Sequence, residues 1–150
     1  MEDQAIRILD VVTILCTGLM VGNELAVSAF VNPAIWKRDD QAIASLLASS
    51  LGRFMPFWYA VSLVLIGVEA YLRRDGAGEM LLLIAAGVWM AMIVYSLVML
   101  VPINNRLAED GPGLGRNDWR TDHTRWDRLH RWRIVLLTVA TACLVAGILA

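Results

Sequence analysis

Two histidines and one carboxylate are the residues best suited to moving protons in this chain. His123 and His130 share a stripe with Trp119, Trp126 and Arg133, at successive spacings of four, three, four and three residues. If the segment is helical, all five lie on one face. Imidazole gains and loses its proton near neutral pH, which makes these histidines candidate bases. Tryptophans at a membrane boundary commonly form a belt, so the aromatic residues alone have an ordinary explanation. Seven residues of helix separate the histidines by about 10 Å, too far for one metal to take both directly. A metal would need further ligands brought by the fold, with Glu24, His123 and His130 as the set.

The carboxylate is Glu24, in the stretch VGNELAVSAFVNPAIW. Its surroundings are greasy enough to cross a membrane, where an ionisable group is costly and faces a bundle interior or a polar cavity. On a helical wheel, Asp10, Thr13, Thr17, Glu24 and Ser28 fall within about a sixth of a turn. This polar face should point inward, and its Thr and Ser residues are explained by interhelical hydrogen bonds. Asn23 lies off that stripe. Glu69 precedes Arg73 by four residues, the spacing of an ordinary helix-surface ion pair. In VPINNRLAED, Asn104 and Asn105 offer amide donors and acceptors, and Arg106 adds a fixed positive charge. These groups converge on one side of the molecule. A pocket among the helix ends, apolar below and polar above, would admit a flat, greasy molecule from the bilayer and hold its polar edge with Asn, Arg and His.

The elements that must position these residues are membrane helices. Of 150 residues, 58% are apolar and 18% charged, far from a soluble average. The net charge of −1 gives no pull toward nucleic acid. Four apolar runs stand out, about 8–31, 55–72, 80–101 and 131–150, in a single domain over 1–150. The expected fold is an all-α integral membrane four-helix bundle. Asn32 and Pro33 suit a helix start. Ile43, Leu46, Leu47, Leu51 and Phe54 then recur at helical spacing. They predict an amphipathic interfacial helix between the first two spans. A loop is expected over EDGPGLGRND, followed by a helical segment leading into the fourth span. Cys16 and Cys143 fit no metal or redox motif and read as buried small hydrophobes. The acidic start MEDQ and long apolar run read as a retained span rather than a cleaved leader. Ten of the thirteen Lys and Arg fall on the side of the two long connections. The excess places those connections in the cytoplasm and the protein in the plasma (inner) membrane.

VPINNRLA at the end of a third span, RWDRLHRWR opening a fourth, and the early GNELAVSAFVNPAIW together make the chain similar to the DUF1772 family. The best-known members of that family are fungal anthrone oxygenases. The resemblance implies an oxygenase acting on an activated aromatic ketone or phenol. It carries the family's Asn onto Asn104 or Asn105, and its Trp, His and Arg signature onto Trp126, His130 and Arg133. The Glu24 assignment rests on burial instead. An anthrone-like carbon acid would lose a proton to His130 or Glu24 and meet dioxygen as an enolate. Arg106, Arg133 and the Asn amides would stabilise the oxyanion. Asn32, His123 and Trp126 complete the expected substrate shell. No flavin or nicotinamide fingerprint is present, so the expectation is no organic cofactor, with a metal left open. Expected partners are a hydrophobic aromatic molecule and membrane lipid, with no nucleic acid. A homo-oligomer is compatible with all of this. Two other functions fit the same residues: a non-catalytic bundle binding a lipid-like ligand or partner helices, and a His/Glu metalloenzyme.

Overall fold

The computed structural model describes residues 2–109 and 119–150, with nothing described of the Glu2, Leu51 and Glu109 side chains. The loop expected over EDGPGLGRND falls almost wholly outside these residues. Four helices are long and apolar enough to cross a membrane: α1 (Asp3–Arg38), α2 (Gln41–Leu72), α3 (Glu79–Ala108) and α4 (Trp119–Leu149). The protein is an all-α membrane four-helix bundle. Met20, Tyr59, Ile66, Leu82, Trp89, Met92, Leu137 and Leu144 form its main apolar core. The outer surface carries Leu19, Phe57, Val64, Met90, Val98 and Val139, the apolar coat that a helix needs in lipid.

Three expectations about the helices change. First, Asn32 and Pro33 do not start a new element. The first helix runs on to Arg38 through one wider turn, Val27–Val31. Glu24 therefore lies fourteen residues, about 21 Å, from the helix end, roughly twice as deep as an end near Val31 implies. Second, the segment read as a separate interfacial helix is the first part of α2, which is unbroken from Gln41 to Leu72. Its packed face is not the bulky set. Ala44, Ala48 and Met55 are buried, while Leu46 and Phe54 are exposed. Small side chains let the neighbouring backbone approach closely, and the bulky ones are left to face lipid. Third, the α1–α2 connection is short. Asp39 adopts the left-handed conformation that ends α1, and Asp40 caps α2 by accepting from the Ile43 N–H at 3.1 Å. Short polar side chains suit both jobs.

The third helix likewise continues past VPINN, again through a wider turn, Ser96–Leu100. The segment before the fourth span and the span itself form one helix from Trp119. Cys16 and Cys143 are half-buried free thiols, and the Cys16 Sγ lies 3.5 Å from the Ser62 hydroxyl.

The end of the bundle nearest the chain start is closed by two devices. Arg73 binds Glu69, as its spacing predicts, but not on the helix surface: Glu69 is fully buried, Thr13 donates to it at 3.0 Å, and Arg73 also binds Asp10 of α1 at 2.5 Å. The turn into α3 packs directly on α4: a Cβ on Gly78 would lie 2.0 Å from the Gly147 carbonyl oxygen. Backbone on both sides leaves nothing flexible to move. Gly78→Ala is therefore expected to destabilise the bundle by about 1–3 kcal/mol, read as a lowered Tm in detergent. An unchanged Tm would show that the two backbones are not in contact.

Candidate functional site

The predicted stripe on α4 is real and wholly inward. Trp119, His123, Trp126, His130 and Arg133 are all buried. The belt explanation fails for these tryptophans; Trp132, on the opposite face, is the one turned outward. The rings stack into a column. His130 lies against Trp126 with centroids 4.5 Å apart, Trp126 against His123 at 5.9 Å, and Trp36 of α1 covers His123 at 5.0 Å. Trp126 thus stands between the two histidines. Among the described residues, no three His, Cys, Asp or Glu are grouped closely enough to hold a metal ion.

Below the column lies a buried charge cluster. Glu24 is 2% exposed and His130 is completely buried. Arg133 Nη2 donates to Glu24 Oε2 at 2.5 Å and to His130 Nδ1 at 2.8 Å. One guanidinium nitrogen carries two hydrogens, so it satisfies both acceptors. His130 Nε2 then donates to the Glu24 backbone carbonyl at 3.1 Å. A guanidinium only donates and a carbonyl only accepts, which fixes the Nε2–H tautomer. The Tyr59 hydroxyl of α2 donates to the other Glu24 oxygen, and the Arg133 guanidinium sits 5.8 Å from the Tyr59 ring centroid. Trp89 anchors this part of α2 by donating to the Tyr59 carbonyl at 3.1 Å. Three helices are therefore joined at one carboxylate.

A cavity of about 230 Å³ opens beside this cluster, between α2, α3 and α4. Its wall is mostly apolar, from Leu47, Met55, Pro56, Ile93, Leu97 and Leu100, and its polar residues are Tyr59, Ser96, Asn104, Trp126 and Arg133. Pro56, Ala60 and Leu97 also face outward from the bundle, so the cavity has a side toward the lipid. A second groove of about 320 Å³ shares Ala48, Gly52, Val101 and Asn104 with it and adds Ser49, Arg53 and Asn105. A cavity of about 150 Å³ holds benzene, so the two together have room for a fused-ring molecule.

Three buried polar atoms on the cavity's residues have no hydrogen-bond partner among the described residues: Arg133 Nε, Trp126 Nε1 and Asn104 Oδ1. Unpaired buried polar groups are rare and costly. Two donors and one acceptor on residues that line one apolar cavity suit a ligand with an apolar body and oxygen substituents, once a small side-chain shift uncovers them.

The remaining predicted residues take other positions. Glu24 and His130 are not on the cavity wall but directly behind Arg133 and Tyr59. Asn32 is buried and donates to Asp127 at 2.7 Å. Arg106 pairs with Asp122 through two bonds of 2.8 Å. Asn105 lines the outer groove. Asn23 is half-buried with its amide nitrogen unpaired among the described residues. Sequence reasoning missed Tyr59, Ser96 and Asp127. Asp127 immediately follows Trp126 and was hidden among the surrounding arginines.

A family profile described as anthrone oxygenase matches residues 45–143. The chain belongs to the anthrone oxygenase family. The matched stretch runs from the start of α2 into the last turns of α4. It includes Tyr59, Ser96, Asn104, Trp126, His130 and Arg133; Glu24 and Asn32 lie before it. No curated protein and no solved structure matches the chain.

The Glu24–Arg133 pair generates a stability test. Removing one member of a buried, hydrogen-bonded pair strands the other charge and costs about 3–5 kcal/mol. Arg133→Met alone should lower Tm sharply, and adding Glu24→Gln should recover part of the loss. Purely additive losses in this cycle would mean that the two groups do not interact.

Proposed function

We propose that this membrane-embedded member of the anthrone oxygenase family oxidises anthrone-like or hydroxylated fused-ring aromatics with dioxygen. The observation that carries the reading is the apolar cavity whose unpaired donors, Arg133 Nε and Trp126 Nε1, sit beside a hydrogen-bonded Tyr59–Glu24 pair. The substrate's rings occupy the apolar part, reached from the lipid side past Pro56, Ala60 and Leu97. Its carbonyl oxygen accepts from Arg133 Nε and Trp126 Nε1, and a hydroxyl donates to Asn104 Oδ1.

The chemistry needs a base and an oxyanion site. The methylene carbon gives up a proton to the Tyr59 oxygen while Tyr59 passes its own proton to Glu24. The electron pair left on carbon delocalises onto the carbonyl oxygen, where Arg133 holds the charge in a water-poor setting. The enolate reduces dioxygen and forms a carbon–oxygen bond, and the peroxide takes back the proton from Tyr59 while Glu24 returns its proton to the Tyr59 oxygen. Loss of water from the hydroperoxide then leaves a second carbonyl. One methylene and one dioxygen become one ketone and one water. His130 keeps Arg133 and Glu24 in position, since both its nitrogens are already engaged. Excess Lys and Arg near Asn32 and Asn104 supports placing that end of the bundle in the cytoplasm, with the protein in the plasma membrane.

A second reading, a non-catalytic bundle that binds a lipid-like ligand, is favoured by one observation. Glu24 and His130 are fully hydrogen-bonded and set back from the cavity. The two are separated by oxygen uptake with an anthrone in proteoliposomes. Tyr59→Phe should lower kcat by about 10²–10⁴-fold with little change in product affinity, and Asn104→Ala should mainly raise KM. Product-like quinone binding without any oxygen uptake would leave the binding module standing.

A further inference from the structure

Two pairs of residues share a face that a regular helix would not give them. Glu24 and Asn32 are eight apart on α1, and both are buried against α4, on Arg133 and Asp127 respectively. Ser96 and Asn104 are eight apart on α3, and both line the cavity. At 100° per residue, eight residues overshoot two turns by about 80°. Each helix absorbs the excess in its wider turn. In α1 the Asn32 N–H donates to the Val27 carbonyl, and in α3 the Val101 N–H donates to the Ser96 carbonyl, five residues back in both. Such a turn holds about one residue more than an α turn. It gives i and i+8 the phase that i and i+7 have elsewhere.

A proline follows each wide turn at the same offset. Pro33 comes two residues after Val31, and Pro102 two after Leu100. A proline inside a helix cannot donate to the carbonyl four residues back and collides with it. Those carbonyls belong to Ala29 and Val98, each the third residue of its wide turn. Opening the turn moves the carbonyl away from the ring. Both turns also pack on α4, the helix that carries Trp126, His130 and Arg133.

We propose that Pro33 and Pro102 are positioning residues: each locks a π turn that rotates an asparagine, Asn32 or Asn104, onto the working face of its helix. The catalytic consequence rests on the substrate-binding role proposed for Asn104; the rotation itself does not. Asn104 Nδ2 would lie 3.7 Å from a Cβ at Gly52, so a cysteine pair at 52 and 104 reports which way residue 104 faces without any activity assay.

The test uses the full chain with Cys16 and Cys143 changed to serine, in liposomes. Gly52→Cys with Asn104→Cys should form an oxidative crosslink readily. Adding Pro102→Ala should cut that crosslink at least fivefold, and Gly52→Cys should then crosslink to Ile103→Cys instead. Deleting Val98 as well, a residue that faces outward within the π turn, should restore the crosslink at the original Asn104 position. With the native asparagine there, the same deletion should restore the wild-type anthrone KM to within about threefold, while Pro102→Ala alone raises KM with kcat nearly unchanged. An undiminished crosslink with Pro102→Ala, or a deletion that unfolds the protein or fails to restore contact, overturns the proposal. If wild-type protein turns over no anthrone but the crosslinks move as stated, the functional reading fails and the positioning role stands.

Discussion

A carboxylate in the middle of a membrane bundle must be compensated or it expels its helix. Glu24 is held by a guanidinium at 2.5 Å from α4 and a phenol from α2. Taking both charges out of water costs several kcal/mol per ion, and breaking the pair strands whichever charge is left. Such a pair therefore acts less as a source of stability than as a constraint on geometry. Only one arrangement of α1, α2 and α4 brings all its donors to one carboxylate. The Tyr59 hydroxyl, the Arg133 guanidinium and the His130 ring inherit their orientations from that arrangement.

The cavity follows from the same constraint. Arg133, which lines the cavity, directs Nη2 to Glu24 and His130, and its Nε has no partner among the described residues. Above it, the stacked column of Trp126 and the two histidines fills the space between α1 and α4 with rigid rings. Below it, the Cys16–Ser62 contact and the Thr13–Glu69–Arg73 cluster tie α1 to α2. The first helix is thus tied to its neighbours by rings at one end and polar contacts at the other, and the cavity at Arg133 lies on the α2–α3–α4 side.

Regular helix was legible and irregular helix was not. The stripe from Trp119 to Arg133 is visible in the sequence because α4 keeps its 3.6-residue period throughout. Thr13, Thr17 and Glu24 were correctly placed on one buried face for the same reason. The wheel then failed at Ser28, which is only half-buried, and missed that Asn32 takes over the inward position. The π turn between them adds a residue that no periodicity reveals in advance; the clue was Pro33, read as a helix start. The spacing of Ile43, Leu46, Leu47, Leu51 and Phe54 after that start suggested a separate interfacial helix. Asp39 and Asp40 instead make a two-residue junction between continuous helices. Tyr59 was invisible because a phenol in an apolar run looks like any membrane aromatic until a carboxylate from another helix is placed beside it.

The most direct measurement is an experimentally determined structure of the protein in lipid with a bound hydroxyanthraquinone. A product oxygen is expected within hydrogen-bonding distance of Arg133 Nε, with the rings against Met55, Pro56 and Leu97 and the Glu24–Arg133 contact intact. A ligand found only on the lipid-facing surface, or a Glu24 side chain parted from Arg133, would contradict the account.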